Sequence, residues 1–445
     1  MTRESSSFDH RDRGTPAAHW RTAREALPTL DLEPGDLERA VVVAAHPDDE
    51  SLGAAGLMVA LHDAGVPVHV VCATAGEASH PASPTHGPAD LARRRRAELA
   101  AALDVLVPGA THEVLGLPDG GLAAHEAALV SHVVRAVGDG RRTLLVATWR
   151  GDGHADHEAV GRAASVAAAR TAARLVEYPV WLWHWGRPET VRTDRMRALP
   201  LAPPARDRKR RALDEHVSQV GRLSPYTGDE PIVSAAMREH HEQPEEVVVL
   251  EDVHDAALDE LHEAHEDPWD VSTSWYERRK EALTLAVLPQ ERYGSVLDIG
   301  CSIGVLSQAL AQRADRLVAV DSSPRAVQRA RERLGASAEV LCLDLPDEWA
   351  PQWSAEGGFD LVVLSEVGYF MSPRALEETW QRVRESLRPG GTVLLAHWRH
   401  PIEGWPLDAA AVHESAAKAL PEVVARYVDD DVEIVVHRDG PGSPR

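Results

Sequence analysis

Cysteine, phenylalanine and methionine are scarce in this chain, with three, three and five copies among 445 residues. Cys72, Cys301 and Cys342 stand far apart, so there is neither a disulfide framework nor the paired-cysteine spacing of a zinc knuckle, and each is expected in a core. Long apolar runs are missing too. No stretch is long enough to cross a bilayer, and the polar start MTRESSSFDHRDRGTP lacks the apolar centre of a signal peptide. The expectation is a cytoplasmic protein with no membrane partner. Positive charge is in deficit, 47 Lys and Arg against 70 Asp and Glu, for a formal net charge of −23. That balance excludes a general nucleic-acid surface, which clustered cations would hold. The two short basic runs, ARRRRAEL (92–99) and RDRKRR (206–211), are expected as solvated helix faces.

What is present is a globular composition, 44% apolar and 26% charged, in a chain long enough for two cores of roughly 200 residues each. The stretch VVVAAHPDDE (41–50) organises the first half. It reads as a short buried strand that ends in a His, a Pro and three acids. Helix 51–65 and strand 66–74 complete a β-α-β unit, which requires a parallel sheet with a right-handed crossover. The Gly-, Pro- and Ser-rich segment 76–91 follows a strand end and is expected as a mobile active-site loop. Further strands are expected over 111–122, 142–149 and 173–185, with 245–250 as a final edge strand. The second half repeats the rhythm with strands at 295–300, 316–321, 338–344, 359–367 and 391–398 and a closing hairpin past 421. The pattern predicts an α/β protein with two doubly wound Rossmann-like α/β domains in tandem. Its expected divisions are a mobile N-terminal arm (1–35, with one short helix at 22–30), a first domain (36–250), an acidic linker or surface helix (251–266) and a second domain (267–445). No motif specifies an oligomeric state.

Several ionisable groups buried at the end of a core strand are costly unless compensated, and a divalent metal is an economical compensation. His46, Asp48 and Asp49 follow one strand; His154, Asp156 and His157 follow another. A hydrolytic zinc needs about three protein ligands and one open position, and a further carboxylate beside it could accept a proton from water. Taken singly, HPDD also reads as an Asx-type turn and HADH as a helix N-cap.

AHPDDE followed by GHADHEAV, with RRRRAEL, LGLPDG, YPVWLWHW and ALDEHVSQ, resembles the N-acetylglucosaminylphosphatidylinositol deacetylase family, the PIG-L or LmbE-like hydrolases, over roughly 39–250. The resemblance implies Zn2+ held by His46, Asp49 and His157, with Asp48 as general base. It further implies that His154 stabilises the oxyanion or protonates the departing amine, and that Asp156 orients a neighbouring His. Arg95 or Arg96, Asp119 and His216 are further candidates for contacting substrate or supporting the site. Trp181, Trp183 and Trp185 either stack on a sugar or belong to the core.

SVLDIGCSIG (295–304) places a Gly-containing turn between a strand and a helix, where backbone can approach a ligand. Asp321 closes the next strand and can accept bonds from ribose hydroxyls. Taken alone, this could be a dinucleotide site. The DxGxxxG pattern, with acids after the second and third strands and LRPGG before the fifth, resembles class I S-adenosyl-L-methionine-dependent methyltransferases. The middle of that family's turn is often Gly; here it is Ser302. More narrowly, DPWDVSTSWYERRK, LDIGCSIG and LSEVGYF are similar to the nodulation N-methyltransferases, which methylate an amine on a glucosamine unit. The resemblance implies cofactor binding by Asp298, Gly300, Ser302, Gly304, Asp321 and Asp344. Glu366, Tyr369, His397 and His400 are candidates to face the acceptor, with Glu366 or His397 as base.

Together the two resemblances imply deacetylation of an N-acetyl amino sugar followed by methylation of the exposed nitrogen, with a small-molecule amino-sugar substrate. The alternatives are methylation of oxygen or of another acceptor in the same pathway, and one half serving as a non-catalytic scaffold.

Overall fold

The computed structural model describes residues 11–12, 14–252, 255–355 and 357–438. The chain divides into two compact units, 1–254 and 255–445. The first is built on strands β1 (Arg39–Ala44), β2 (Val68–Cys72), β3 (Thr111–Val114), β4 (Thr143–Thr148), β5 (Arg174–Tyr178), β6 (Met196–Pro200) and β7 (Glu245–Val249). The second is built on β8 (Tyr293–Ile299), β9 (Ala314–Asp321), β10 (Glu339–Cys342), β11 (Phe359–Ser365), β12 (Leu387–Trp398), β13 (Glu422–Val428) and β14 (Val432–Arg438). The two sheets repeat one order, β3-β2-β1-β4-β5-β7-β6 and β10-β9-β8-β11-β12-β14-β13. In each, the first five strands by sequence are parallel and the last two join antiparallel. Both are thus doubly wound α/β units, and each reverses direction between its first and fourth strands, the place where such sheets bind ligands.

β1 shows why its sequence is apolar throughout. Ala40, Val42 and Ala44 enter one core cluster, and Val41, Val43 and Ala45 the other. A central parallel strand is covered by helices on both faces, so alternation gives way to a continuous apolar run.

Several local expectations are corrected. The expected helix 51–65 is two, Asp49–Gly53 and Ala55–Asp63. The Glu246 carboxylate on β7 accepts the N–H groups of Gly56 (2.6 Å) and Leu57 (2.9 Å), supplying partners that a continuous helix would otherwise provide. The expected aromatic strand stops at Tyr178, before Pro179, which has no N–H for the ladder. Leu182–Trp185 then forms one helical turn. β7 is not an edge; β6, short and containing Arg197 and Pro200, takes that place. Nor are residues 14–35 a loose arm. Their helix is Ala17–Glu25, Trp20 is buried and donates from Nε1 to Trp183 O at 2.9 Å, and Leu30 N–H bonds Ala198 O at 2.8 Å. Residues 257–264 form a helix in the second unit that packs on helix Pro324–Leu334. Its carbonyl end is closed by Arg329 Nη1 donating to His262 O and His265 O. Among the described residues no helix is long and apolar enough to cross a membrane.

Candidate active sites

In the first unit the loops after β1 and β4 meet at the switch point. His46 Nδ1 lies 3.5 Å from Asp49 Oδ2, His157 Nε2 lies 3.2 Å from Asp49 Oδ1, and the two imidazole nitrogens are 3.3 Å apart. A tetrahedral site with bonds of about 2.0–2.1 Å has edges of about 3.3–3.4 Å. The two imidazole nitrogens match that edge and Asp49 brings a carboxylate oxygen near each, so the donor set suits a zinc ion. Each His is also fixed from behind. His46 Nε2 faces Asp119 Oδ1 at 3.1 Å and Asp156 Oδ2 at 3.2 Å, while His157 Nδ1 meets Asp152 Oδ2 at 2.7 Å. Carboxylates behind the ligating imidazoles orient such sites.

Asp152 carried no motif signal, yet it is the most fully wired residue here. Beyond His157, its two oxygens accept the N–H groups of Val180, Trp181 and Leu182 at 2.8–3.0 Å. A single carboxylate thus ties the loop that carries His157 to the aromatic turn.

Burial drives the histidines toward neutrality, but their carboxylates outweigh it. His157 is lifted to about 9 by Asp49 and Asp152, and His46 is raised by Asp119, Asp156 and Asp49. Asp49 is held well below the ordinary range by His157 and His46 despite its burial. His154 goes the other way: burial, then the charges on His157 and His46, take it down to about 3. Its Nδ1 accepts Asp156 N–H at 3.3 Å, leaving the proton on Nε2.

Asp48 sits at φ 137°, a conformation that a residue with a side chain holds only under constraint. Glu50 Oε2 accepts its N–H at 3.1 Å, and Arg95 Nη2 donates to its Oδ1 at 3.0 Å and to Pro47 O at 2.7 Å. Burial raises Asp48 to about 6 against the pull of Arg95. His216 is one layer further back, with Nε2 3.0 Å from Ser51 Oγ and 3.3 Å from Glu50 Oε1. Arg96 is exposed and donates to Val114 O. The loop expected to be mobile is anchored: Thr85 Oγ1 donates to Asp229 at 2.7 Å and His80 Nε2 lies 2.9 Å from Glu230 O. Trp181 and Trp183 are buried, and Trp185 stacks on Trp181 at 5.6 Å while donating to Asp152 O. The aromatic cluster is core.

In the second unit the turn after β8 carries Gly300, Ser302 and Gly304 at φ 73°, 49° and 79°. Ser302 thus adopts the left-handed conformation that glycine takes freely. Its N–H donates to Asp321 Oδ2 at 2.8 Å, Ser323 N–H donates to Asp321 Oδ1 at 3.0 Å, and Ser302 Oγ is buried without a partner among the described residues. Asp298 is buried beneath the turn, accepts Ser307 Oγ at 2.6 Å and is pushed by burial to about 7. Asp344 is exposed past the end of β10, beside β9. An aligned carboxylate, a backbone cradle and an orphaned hydroxyl are a donor set suited to an adenosyl cofactor.

Glu366 follows β11 across the switch point. Tyr369 donates its hydroxyl to Glu366 Oε2, and Trp398 N–H donates to the same oxygen at 3.1 Å. His397 does not face an acceptor. It is fully buried, its Nε2 accepts Gly368 N–H at 3.2 Å, and its Nδ1 lies 3.3 Å from His413 Nε2; both nitrogens are spent inside the core. His400 is exposed and pairs with Asp431 at 3.0 Å.

Comparison with known proteins follows the same division. The family model GlcNAc-PI de-N-acetylase (PIG-L) matches residues 41–168, and the Nodulation protein S (NodS) model matches 251–432. Nodulation protein S of Bradyrhizobium diazoefficiens is 31% identical over 153 residues, 33% of this chain and 71% of that one. The Rhizobium tropici protein of the same name is 30% identical over 138 residues, 31% of this chain; the match spans 57% of that relative's length. The solved N-methyltransferase NodS from Bradyrhizobium japonicum WM9 in complex with S-adenosyl-L-homocysteine is similar at 23% identity, over 42% of this chain and 97% of that one, with a TM-score of 0.36. The second unit therefore belongs to the NodS family of S-adenosyl-L-methionine-dependent methyltransferases, and the first is similar to the GlcNAc-PI de-N-acetylase (PIG-L) family over residues 41–168.

Proposed function

We propose that the first unit hydrolyses the N-acetyl group of an N-acetylglucosamine-type conjugate with zinc, and that the second methylates the amine so exposed. The observation that carries this reading is the His46–Asp49–His157 triangle with Asp48 beside it, in a unit matched by a de-N-acetylase model. Bound zinc would supply Lewis acidity and lower the pKa of water to near neutrality. Asp48, restrained by Arg95, accepts the proton of the attacking water, and the Nε2–H of His154 donates to the carbonyl oxygen as it gains charge. In the second unit S-adenosyl-L-methionine would supply an electrophilic methyl group. Asp321 and Asp344 receive ribose and base-side donors, and the turn Gly300–Gly304, seated on Asp298, lets backbone approach.

The order of steps follows from nitrogen chemistry. An amide nitrogen is a poor nucleophile and a free amine a good one, so deacetylation comes first. An Asp48→Asn variant of the full chain, assayed with zinc and cofactor, should lose hydrolysis of an N-acetylglucosaminide and keep methylation of the supplied free amine. Loss of both activities would overturn the assignment of separate chemistries to the two sites.

A further inference from the structure

Two carboxylates share one ammonium near the carboxyl end of β11, and they are held differently. Glu366 takes three donors: Lys280 Nζ at 2.8 Å on Oε1, and the Tyr369 hydroxyl and Trp398 N–H on Oε2. Glu277, on helix Trp275–Val287, meets one group, Lys280 Nζ, at 2.9 and 2.8 Å from its two oxygens. On the same helix the Tyr276 hydroxyl is buried and has no hydrogen-bond partner among the described residues. The Tyr276 ring stands edge-on to Trp398 at 4.9 Å, and Lys280 Nζ lies 5.3 Å from its centroid. The cluster therefore combines two acids and one ammonium, for a net charge of −1, with an aromatic wall and an orphaned hydroxyl. An entering ammonium would neutralise it.

We propose that this cluster receives the acceptor's amino group and that Glu277, rather than Glu366 or His397, takes its proton. The inference rests on reading the second unit as an amine methyltransferase. The acceptor arrives as R–NH3+, one N–H bond breaks, the proton passes to a Glu277 carboxylate oxygen, and the electron pair stays on nitrogen, ready for alkylation. Glu366, engaged by three donors, fixes Lys280 and the Tyr369 ring as a positioning residue. The Tyr276 hydroxyl accepts a remaining N–H of the amine. Lys280 and Glu366 are the charged groups of the cluster that act on Glu277, and Asp267 outside it adds a weaker negative influence. Burial, reinforced by Glu366 and Asp267 and opposed by Lys280, raises Glu277 above the ordinary carboxylate range and so toward the amine it serves.

The test uses the full chain, loaded with cofactor and given methyl β-glucosaminide as the free-amine probe. Glu277→Gln should lower kcat for methyl transfer by about 10²-fold at pH 7, the scale of a lost general base. The deficit should shrink to less than about threefold at a pH where the free amine is already neutral, because the proton then needs no acceptor. Affinity for S-adenosylhomocysteine and the rate of deacetylation should match wild type. Tyr276→Phe should raise KM more than it lowers kcat. Methylation by Glu277→Gln at the wild-type rate, or a deficit of equal size at every pH, would overturn the inference and leave the methyltransferase reading standing. A wild-type protein that binds S-adenosylhomocysteine yet neither binds nor methylates the glucosaminide would overturn the reading and the inference with it.

Discussion

Asp152 Oδ2 lies 2.7 Å from His157 Nδ1, and both side chains are sealed from solvent. The same oxygen accepts Trp181 N–H, and Asp152 Oδ1 accepts Val180 and Leu182 N–H, so the orientation of the His157 imidazole depends on the turn at 180–182. Asp152→Asn would place an NH2 group against donors or break the backbone bonds. Zinc affinity, measured by competition with a chelator, is expected to fall about 10- to 100-fold, while cofactor binding in the second unit is unchanged.

Arg95 is buried and closes on Asp48 Oδ1, Pro47 O and Gly76 O. Removing its charge in Arg95→Gln leaves a buried carboxylate without its partner. The expected loss is about 3–5 kcal/mol of stability, read by denaturant unfolding, with deacetylation falling and methylation of a free amine retained.

Asp298 provides a pH signature of the second unit. Burial raises it from 3.8 to about 7, reinforced by Asp321 and opposed by the Ser307 hydroxyl. Between those values the folded form holds a proton that the unfolded chain has released, so stability is highest at the acid end of the window and falls as pH rises through 7. Thermal unfolding followed from pH 5 to pH 8 should show this decline in wild type and a flatter profile in Asp298→Asn.

Ser302 occupies a left-handed conformation at φ 49°. Ser302→Gly should leave stability within about 1 kcal/mol of wild type. Ser302→Val, β-branched in the same conformation, should destabilise by about 2 kcal/mol or more. Chemical denaturation of the three proteins checks the order.

The sheets and the cluster around His46 were legible in sequence because their signals are local. A continuous apolar run such as 41–45 marks a doubly covered strand, and acids at its end are chemically incongruous. Asp152 was not legible: in RGDGHADH it reads as one more turn residue, and its partners at 180–182 are brought to it only by the fold. Glu277 and Lys280 sit on one helix, and their partner Glu366, 86 residues beyond Lys280, is brought to them only by the fold. His397 was misassigned because a histidine at the end of β12 looks exposed in one dimension, whereas the helix Ala409–Ala419 covers it and supplies His413. β6 was missed because MRALP carries too few β-branched residues to be distinguished from a loop, and pairing with β7 decides its conformation.

The central claim is that one chain unmasks a nitrogen and then methylates that same nitrogen. The most direct measurement is to incubate the purified full chain with zinc, an N-acetylglucosaminide and methyl-13C-labelled S-adenosyl-L-methionine, then locate the label in the product by NMR. The account predicts an N-methyl signal on the sugar's amino group, absent in Asp48→Asn and restored there when the free amine is supplied. Label on a hydroxyl oxygen, or a deacetylated sugar that gains no label while the cofactor is bound, would contradict it.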